Sequence, residues 1–137
     1  FERDCFRQHN IYRHQHRACR LLWSADLASD AAEWAEHLAS TNRLEHSPQK
    51  ECGENLACAG GYDLRGDKAA EMWYDEVKDY NFETLAYNAK CGHFTQLVWR
   101  GTKEIGVAKR VSADGTQFVV ARYHPPGNVL GEFKENI

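Results

Sequence analysis

The segment at residues 91–99, CGHFTQLVW, contains the side chain of this sequence best placed to do chemistry. His93 follows a glycine and opens a run that is apolar except for Thr95 and Gln96. This pattern predicts a mostly buried strand over residues 94–99, with the imidazole just before its first residue. A titratable ring in that position suits a ligand site or a general base, and a histidine that only hydrogen-bonds its neighbours is the alternative.

Three further segments place polar side chains where they could meet this ring. His46 lies in LEHSP, between a long helical pattern and a proline, and Glu54 follows a glycine in CGENLA. Glu76 shares a helical stripe with Trp73 and Tyr80 by steps of three and four residues, so its carboxylate is predicted to point inward. Because an unpaired buried charge is costly, we expect this carboxylate to be paired across a cleft.

Four segments, in their order and spacing, carry a family resemblance: GENLA, WYDEVKDYNF, GHFTQLVW and YHPPGN. They resemble the CAP superfamily, which includes cysteine-rich secretory proteins, insect venom antigens and plant pathogenesis-related proteins. The likeness runs from about His9 to about Glu132, and GHFTQLVW and YHPPGN resemble the two signature motifs. LASTNRLEHSP, CGENLA, KDYNF and FVVARYHPPGN carry a closer likeness to the Golgi-associated pathogenesis-related subgroup and to venom-allergen-like proteins without signal peptides.

The resemblance implies a central tetrad of two histidines and two glutamates, which falls on His46, Glu54, Glu76 and His93. Two imidazoles can bind zinc or another divalent cation while carboxylates orient the rings. A structural zinc usually has four protein ligands, so His46 and His93 alone are expected to bind a metal weakly. The alternative is a polar network that fixes the fold around a cleft. No organic cofactor is expected.

Length and charge favour one domain over residues 1–137. A chain of this size can bury roughly two-thirds of its unfolded surface, enough for a single core. With 17 Lys and Arg against 20 Asp and Glu, the net charge of −3 gives no sign of nucleic-acid binding. No apolar run approaches the ~20 residues that a membrane span needs. Because the sequence begins at Phe1, the lack of a signal peptide carries no information.

The five cysteines are too few for a disulfide-built scaffold, and no CxxC motif is present. Secreted relatives usually carry several disulfides with cysteines late in the chain, whereas no cysteine follows Cys91 here. This favours an intracellular protein peripheral to Golgi or other membranes over a secreted one. Cys52 and Cys91 each precede a glycine and a candidate site residue, so a disulfide between them stays open.

Hydrophobic periodicity predicts helices over residues 2–15, 25–40 and 67–80. Short strands are predicted over residues 55–59 and, as a hairpin, over 106–111 and 117–123. The predicted class is α+β, a small antiparallel sheet with helices around it. The resemblance implies a single-domain α-β-α sandwich, and the two predictions agree.

Our preferred hypothesis is a non-catalytic domain that associates with lipid, sterol or an anionic membrane surface and binds a divalent metal in its cleft. Arg13, Arg17 and Arg20 are the candidate contacts to lipid head groups, although a solvated helix end explains the same cluster. One alternative is a metal-dependent hydrolase with Glu54 or Glu76 as base, or more weakly a protease that uses Ser47. Another is a protein-interaction or homodimerisation module.

Overall fold

The computed structural model describes residues 1–137 and places a four-stranded sheet between two layers of helices. Two 3-10 turns, Asp75–Asp79 and Ala89–Cys91, lie between the third and fourth helices. The helices are α1 (Glu2–Gln15), α2 (Ala25–Thr41), α3 (Gly66–Tyr74), α4 (Gly92–Val98) and α5 (Phe133–Asn136), and the strands are β1 (Leu22–Trp23), β2 (Gly53–Ala59), β3 (Glu104–Val111) and β4 (Gln117–His124).

The alternation of side chains along β3 and β4 builds a core on each face of the sheet. Val107 pairs with Ala121, and both pack against α1, α3 and α4. Their neighbours Ala108 and Val120 pair with each other and pack against α2. The α-β-α sandwich is therefore confirmed. The sheet order is β1-β3-β4-β2. Strands β2, β4 and β3 pair antiparallel as predicted, and the two-residue β1, which the sequence did not predict, adds a parallel pair with β3.

Helix α2 covers one face of the sheet alone and confirms its predicted span to within one residue. The Ser24 side chain caps it by accepting a hydrogen bond from the Leu27 N–H at 3.1 Å. The helix lies so close to β3 that a Cβ at Gly106 would fall 2.0 Å from the Ala28 nitrogen. Glycine is required at Gly106 for this contact. None of the helices combines the length and apolarity needed to cross a bilayer.

The strand predicted over residues 94–99 is wrong, because this segment forms helix α4. A short apolar run does not distinguish a buried strand from a buried helix. The two polar residues that interrupt it are buried as well, so they mark no solvent-facing side. The Thr95 hydroxyl donates to Asn128 Oδ1 at 2.6 Å, and the Gln96 amide donates to the Thr102 hydroxyl at 3.2 Å.

The helix predicted over residues 67–80 is too long, since α3 ends at Tyr74 and the chain continues as the turn Asp75–Asp79. Trp73 and Tyr80 are both buried, as the periodicity predicts. Glu76 therefore lies in a 3-10 turn beside α4 rather than on the apolar stripe of a regular helix.

Candidate functional site

Both predicted histidines line one cleft of about 650 Å³ between the loop before β2 and the start of α4. Glu54 also lines it, whereas Glu76 does not and lies behind His93. Lys50 is a further charged residue on the wall. The tetrad is therefore split into two imidazole–carboxylate pairs that share a cleft.

In the first pair, Glu54 is held by more donors than its histidine partner alone. The His46 Nδ1 lies 2.8 Å from Oε1, which also accepts the Ser47 N–H at 3.0 Å. Oε2 accepts the Ser47 hydroxyl at 2.7 Å and the Arg122 Nε at 3.0 Å. The Glu54 side chain is 6% exposed, whereas that of His46 is 63% exposed. The ring therefore projects from a buried anion into the cleft.

This environment stabilises the ionised form of Glu54. Burial raises the pKa of the carboxyl group, but the Ser47 and His46 hydrogen bonds and the charge of Arg122 outweigh it and lower the pKa. A carboxylate can only accept, so the Nδ1 of His46 carries the proton. In the neutral ring, the Nε2 lone pair is then available, and Nε2 has no hydrogen-bond partner.

The second pair ties the 3-10 turn to the start of α4. The His93 Nδ1 lies 2.7 Å from Glu76 Oε2, and the Phe94 N–H donates to Glu76 Oε1 at 2.9 Å. Glu76 is 22% exposed and His93 is 39% exposed. The same carboxylate therefore satisfies a free N–H in the first turn of α4 and fixes the tautomer of His93, whose Nε2 again has no partner.

A fully buried network supports the backbone at His93. The Asn55 amide donates to the His93 carbonyl and to the Tyr123 hydroxyl, both at 3.1 Å. The Tyr123 hydroxyl donates to His9 Nε2 at 2.7 Å, and His9 Nδ1 donates to the Cys5 carbonyl at 2.8 Å. Burial lowers the pKa of His9 to about 4, so this ring is neutral at neutral pH. The network connects α1, the sheet and α4.

Sequence reasoning missed the residues that brace the cleft. Asn128 accepts the Thr95 hydroxyl at 2.6 Å and donates to the Gly92 carbonyl at 2.8 Å, so it fastens the loop after β4 to α4. Arg122 pairs with Glu54 from β4. Asn128 lies in the segment YHPPGN, and Arg122 directly precedes it. The resemblance of this segment to a family motif was the signal that could have pointed to both residues. Lys50 gave no signal, because a single lysine in a polar loop is common.

The two imidazoles fit a weak metal site but not a structural zinc. A carboxylate on Nδ1 with Nε2 left free is the arrangement that orients histidine ligands in metalloproteins. No group of three or more His, Cys, Asp or Glu residues converges in this protein. His46 and His93 would hold a divalent cation, and solvent or an added ligand would complete its coordination.

Ser47 is not arranged as an activated nucleophile. The Ser47 hydroxyl donates to Glu54 rather than to a histidine nitrogen, and Ser47 is 6% exposed. The arrangement of a serine protease needs the opposite order, with the serine on the histidine. In both Glu54 and Glu76, each oxygen already accepts a hydrogen bond from the protein.

The prediction that Arg13 contacts lipid head groups is wrong. Arg13 is fully buried, and its guanidinium donates hydrogen bonds to four backbone carbonyls. These carbonyls lie near the place where α1 meets the end of α4. Arg17 and Arg20 are exposed as predicted. Arg20 lies in a groove of about 470 Å³ along α1, together with Arg3 and Arg7.

All five cysteines are free thiols, so Cys52 and Cys91 form no disulfide. Cys91 is buried and its thiol donates to the Glu76 carbonyl at 3.5 Å. Burial is the main reason that the pKa of the Cys91 thiol is raised. Cys91 therefore supports the turn that carries Glu76 and leaves metal binding to the imidazoles.

Comparison with known proteins identifies the family and agrees with the fold. The model of the cysteine-rich secretory protein family, CAP, matches residues 6–123. Golgi-associated plant pathogenesis-related protein 1 of Homo sapiens is 44% identical, over 100% of this chain and 92% of that protein. The structure of Schistosoma mansoni venom allergen-like protein 4 aligns with a TM-score of 0.75 at 23% identity, over 93% of this chain and 89% of that one. The structure of NaASP2 with Zn²⁺ aligns with a TM-score of 0.76 at 21% identity, over 94% and 81%. The two structural alignments show the fold, and the family match shows that this chain belongs to the CAP family of cysteine-rich secretory proteins.

Proposed function

We propose that this protein is a non-catalytic, membrane-associating CAP domain whose cleft binds a divalent cation of the zinc class reversibly. The observation that carries the metal proposal is the matched geometry of the two pairs. His46 and His93 each present a free Nε2 to the same cleft while Nδ1 is held by a carboxylate at 2.7–2.8 Å. The structure of NaASP2 with Zn²⁺, which shares the fold, supports the choice of metal.

Two protein ligands set the expected strength of this site. Structural zinc sites use four protein ligands, whereas His46 and His93 leave the remaining positions to solvent. We therefore expect zinc to bind in the micromolar range or more weakly, with no large gain in folding stability. When bound, the metal would supply a Lewis acid in the cleft.

Calorimetric titration of the whole chain with zinc chloride tests this proposal. The His46→Ala/His93→Ala variant should lose cleft binding completely, and either single variant should bind at least tenfold more weakly. A His37→Ala/His124→Ala variant is the matched control, because both of these rings are exposed and lie outside the cleft. Equal zinc affinity in the cleft variant and the wild type would refute the assignment.

The non-catalytic part of the proposal is supported by the state of the two carboxylates. A general base needs an oxygen within hydrogen-bond reach of its substrate. In Glu54 and in Glu76, both carboxylate oxygens accept hydrogen bonds from protein donors. The lowered pKa of Glu54 also makes its carboxylate a weaker base. The hydrolase alternative would be revived by turnover that is lost in Glu54→Gln and kept in Glu51→Gln.

Membrane association is supported by the exposed face of α1. Arg3 and Arg7 are one helical turn apart and line a groove with Arg20, Phe6 and Ile11. None of the three arginines forms an ion pair within 4.0 Å, and the nearest acidic neighbours in their pockets are Asp4 and Asp67 beside Arg7 and Glu2 beside Arg3. Basic and apolar side chains on one helix face favour an anionic lipid surface. Golgi or other intracellular membranes are the proposed location, which the name of the 44% identical human relative supports.

Vesicle co-sedimentation tests the membrane proposal. Phosphatidylcholine vesicles with 30% phosphatidylserine should bind the protein, and pure phosphatidylcholine vesicles should not. Each arginine near the surface is worth on the order of 1 kcal/mol, so Arg7→Gln should weaken binding about fivefold. Arg43→Gln, at an exposed site beyond α2, is the control and should bind as the wild type does. Equal binding to neutral vesicles that contain cholesterol would instead indicate sterol recognition.

A further inference from the structure

The charge of the cleft depends on whether a metal is present. Lys50 lines the cleft, and Arg122, Glu54 and Glu76 pair with its histidines or with each other. With neutral imidazoles, the two cations and two carboxylates cancel. A divalent cation on His46 and His93 would change this sum to about +2 in a cleft whose walls exclude part of the solvent.

Lys50 is the cation in this group that has no acidic partner. Its ammonium has no carboxylate within 4.0 Å, whereas Arg122 is committed to Glu54 at 3.0 Å. Lys50 and the two histidines line the same cleft. An ammonium in the same cleft as a metal with open positions is a combination that can recognise an anionic oxygen group.

The same cleft also has two large exposed side chains with apolar surface in its lining. Tyr87 and Leu130 both line it, with 54% and 74% of their surfaces exposed. They lie on the loop before α4 and the loop after β4, and they expose large apolar side chains beside a polar cleft. A ligand that joins an anionic head to an apolar group would satisfy both parts, since apolar burial contributes about 25 cal/mol per Å².

We infer that the metal-loaded cleft binds an organic carboxylate that carries an apolar substituent. The carboxylate completes the coordination of the metal held by His46 and His93 and pairs with Lys50, and the apolar substituent packs on Tyr87 and Leu130. This inference rests on the proposed metal site and names the class of ligand that the site takes. A free apolar carboxylic acid and the C-terminal residue of a peptide share this chemistry.

Calorimetry with N-acetyl-leucine as the probe tests the inference on the whole chain. Zinc-saturated protein should bind N-acetyl-leucine at least tenfold more tightly than zinc-free protein. By linkage, a saturating amount of N-acetyl-leucine should strengthen zinc binding by the same factor. N-acetyl-leucinamide, which lacks the carboxylate, should not bind, and acetate, which lacks the apolar group, should bind several-fold more weakly. A peptide ending in leucine, compared with its amide, distinguishes a peptide C-terminus from a free acid.

Variants distinguish the contribution of the ligand's carboxylate from that of its apolar group. Lys50→Gln should weaken N-acetyl-leucine binding about three- to tenfold. It should not weaken zinc binding in the absence of the probe, because it removes a positive charge from the cleft. Tyr87→Ala should weaken N-acetyl-leucine but not acetate. Zinc binding without any enhancement of N-acetyl-leucine overturns this inference and leaves the metal proposal intact, whereas the absence of zinc binding overturns both. Equal binding of the acid and the amide overturns the role of the carboxylate.

Discussion

At the scale of single residues, the two glutamates of the tetrad have different structural roles. Glu54 is almost fully buried and accepts hydrogen bonds from Ser47, His46 and Arg122, so it is a fixed anion of the fold. Glu76 is more exposed and accepts from His93 and from the backbone at the start of α4. Glu54 is thus the stronger structural element, and Glu76 acts mainly by placing one ring and one helix end.

This difference predicts a pH-dependent contribution of Glu54 to stability. The pKa of Glu54 is lowered below its ordinary value of 4.5, so the stabilisation is complete above pH 4.5 and is lost as pH falls through the folded-state pKa. Glu54→Gln should therefore lower the free energy of unfolding at pH 7, by about 1–3 kcal/mol. The gap between the free energies of unfolding of wild type and variant should narrow as the pH falls below 4.5 and through the folded-state pKa.

Urea unfolding at a series of pH values measures this gap. Glu51→Gln is the control, because Glu51 is exposed and forms no ion pair, and its gap should stay near zero at every pH. A gap between wild type and Glu54→Gln that stays constant down to pH 3 would contradict the linkage.

At the scale of elements, the sequence predicted the long periodic segments and failed on a short one. Helices α1 and α2 have polar and apolar faces over fourteen and seventeen residues, and their predicted bounds match those observed to within one residue. The seven residues of α4 are too few for a period to emerge, and its buried Thr95 and Gln96 hide the solvent-facing side. His46, Glu54 and His93, which the family resemblance placed in one tetrad, line the same cleft.

The sequence could not predict which histidine of the tetrad pairs with which glutamate. Periodicity placed Glu76 on an inward stripe, but its partner depends on how the turn Asp75–Asp79 meets α4. The prediction for Arg13 failed for a related reason. The local sequence shows a basic cluster, whereas the burial of Arg13 depends on carbonyls more than eighty positions away. Contacts of this kind are set by tertiary packing and leave no local pattern.

Arg13 joins α1 to the end of α4, and this predicts a large cost for a conservative change. Its guanidinium donates to the carbonyls of Cys19, Leu97, Trp99 and Thr102 at 2.8–3.2 Å. Burial lowers the pKa of Arg13 to about 10, so the charge persists at neutral pH. Lysine cannot reproduce the planar fork, and each buried carbonyl left without a donor costs about 1–3 kcal/mol. Arg13→Lys should therefore lower the free energy of unfolding by about 2–4 kcal/mol.

Thermal or urea unfolding of two variants checks this cost. Arg17→Lys is the matched control, since Arg17 is exposed four residues later and should lose less than about 0.5 kcal/mol. Equal stability of the two variants would show that the carbonyls at the end of α4 find other donors.

At the scale of the whole molecule, the CAP fold presents two separate surfaces. The cleft lies where the loop before β2 meets α4 and the loop after β4, and the basic groove lies along α1. The two sets of lining residues share no member. Docking through α1 would therefore leave the cleft open, and zinc should leave vesicle binding unchanged.

The position of Trp23 beside this groove predicts an optical signal of docking. Trp23 is 37% exposed, packs edge to face on Phe6 with ring centroids 5.6 Å apart, and lines a depression with Arg3. Tryptophan favours the membrane interface, so vesicles with 30% phosphatidylserine should shift the emission of the protein to shorter wavelength. Trp73 and Trp99 are 2% exposed and should contribute a constant background.

Two variants and a salt series complete this test. Trp23→Phe should lose the shift, and Trp34→Phe, which alters a partly exposed indole on α2, should keep it. Raising the ionic strength from about 0.1 M to 1 M shortens the screening length from ~10 Å to ~3 Å and should abolish the shift. Apolar burial in a sterol groove would be nearly indifferent to salt. A shift that survives in Trp23→Phe would place the docking surface away from α1, because the remaining exposed indole lies on α2.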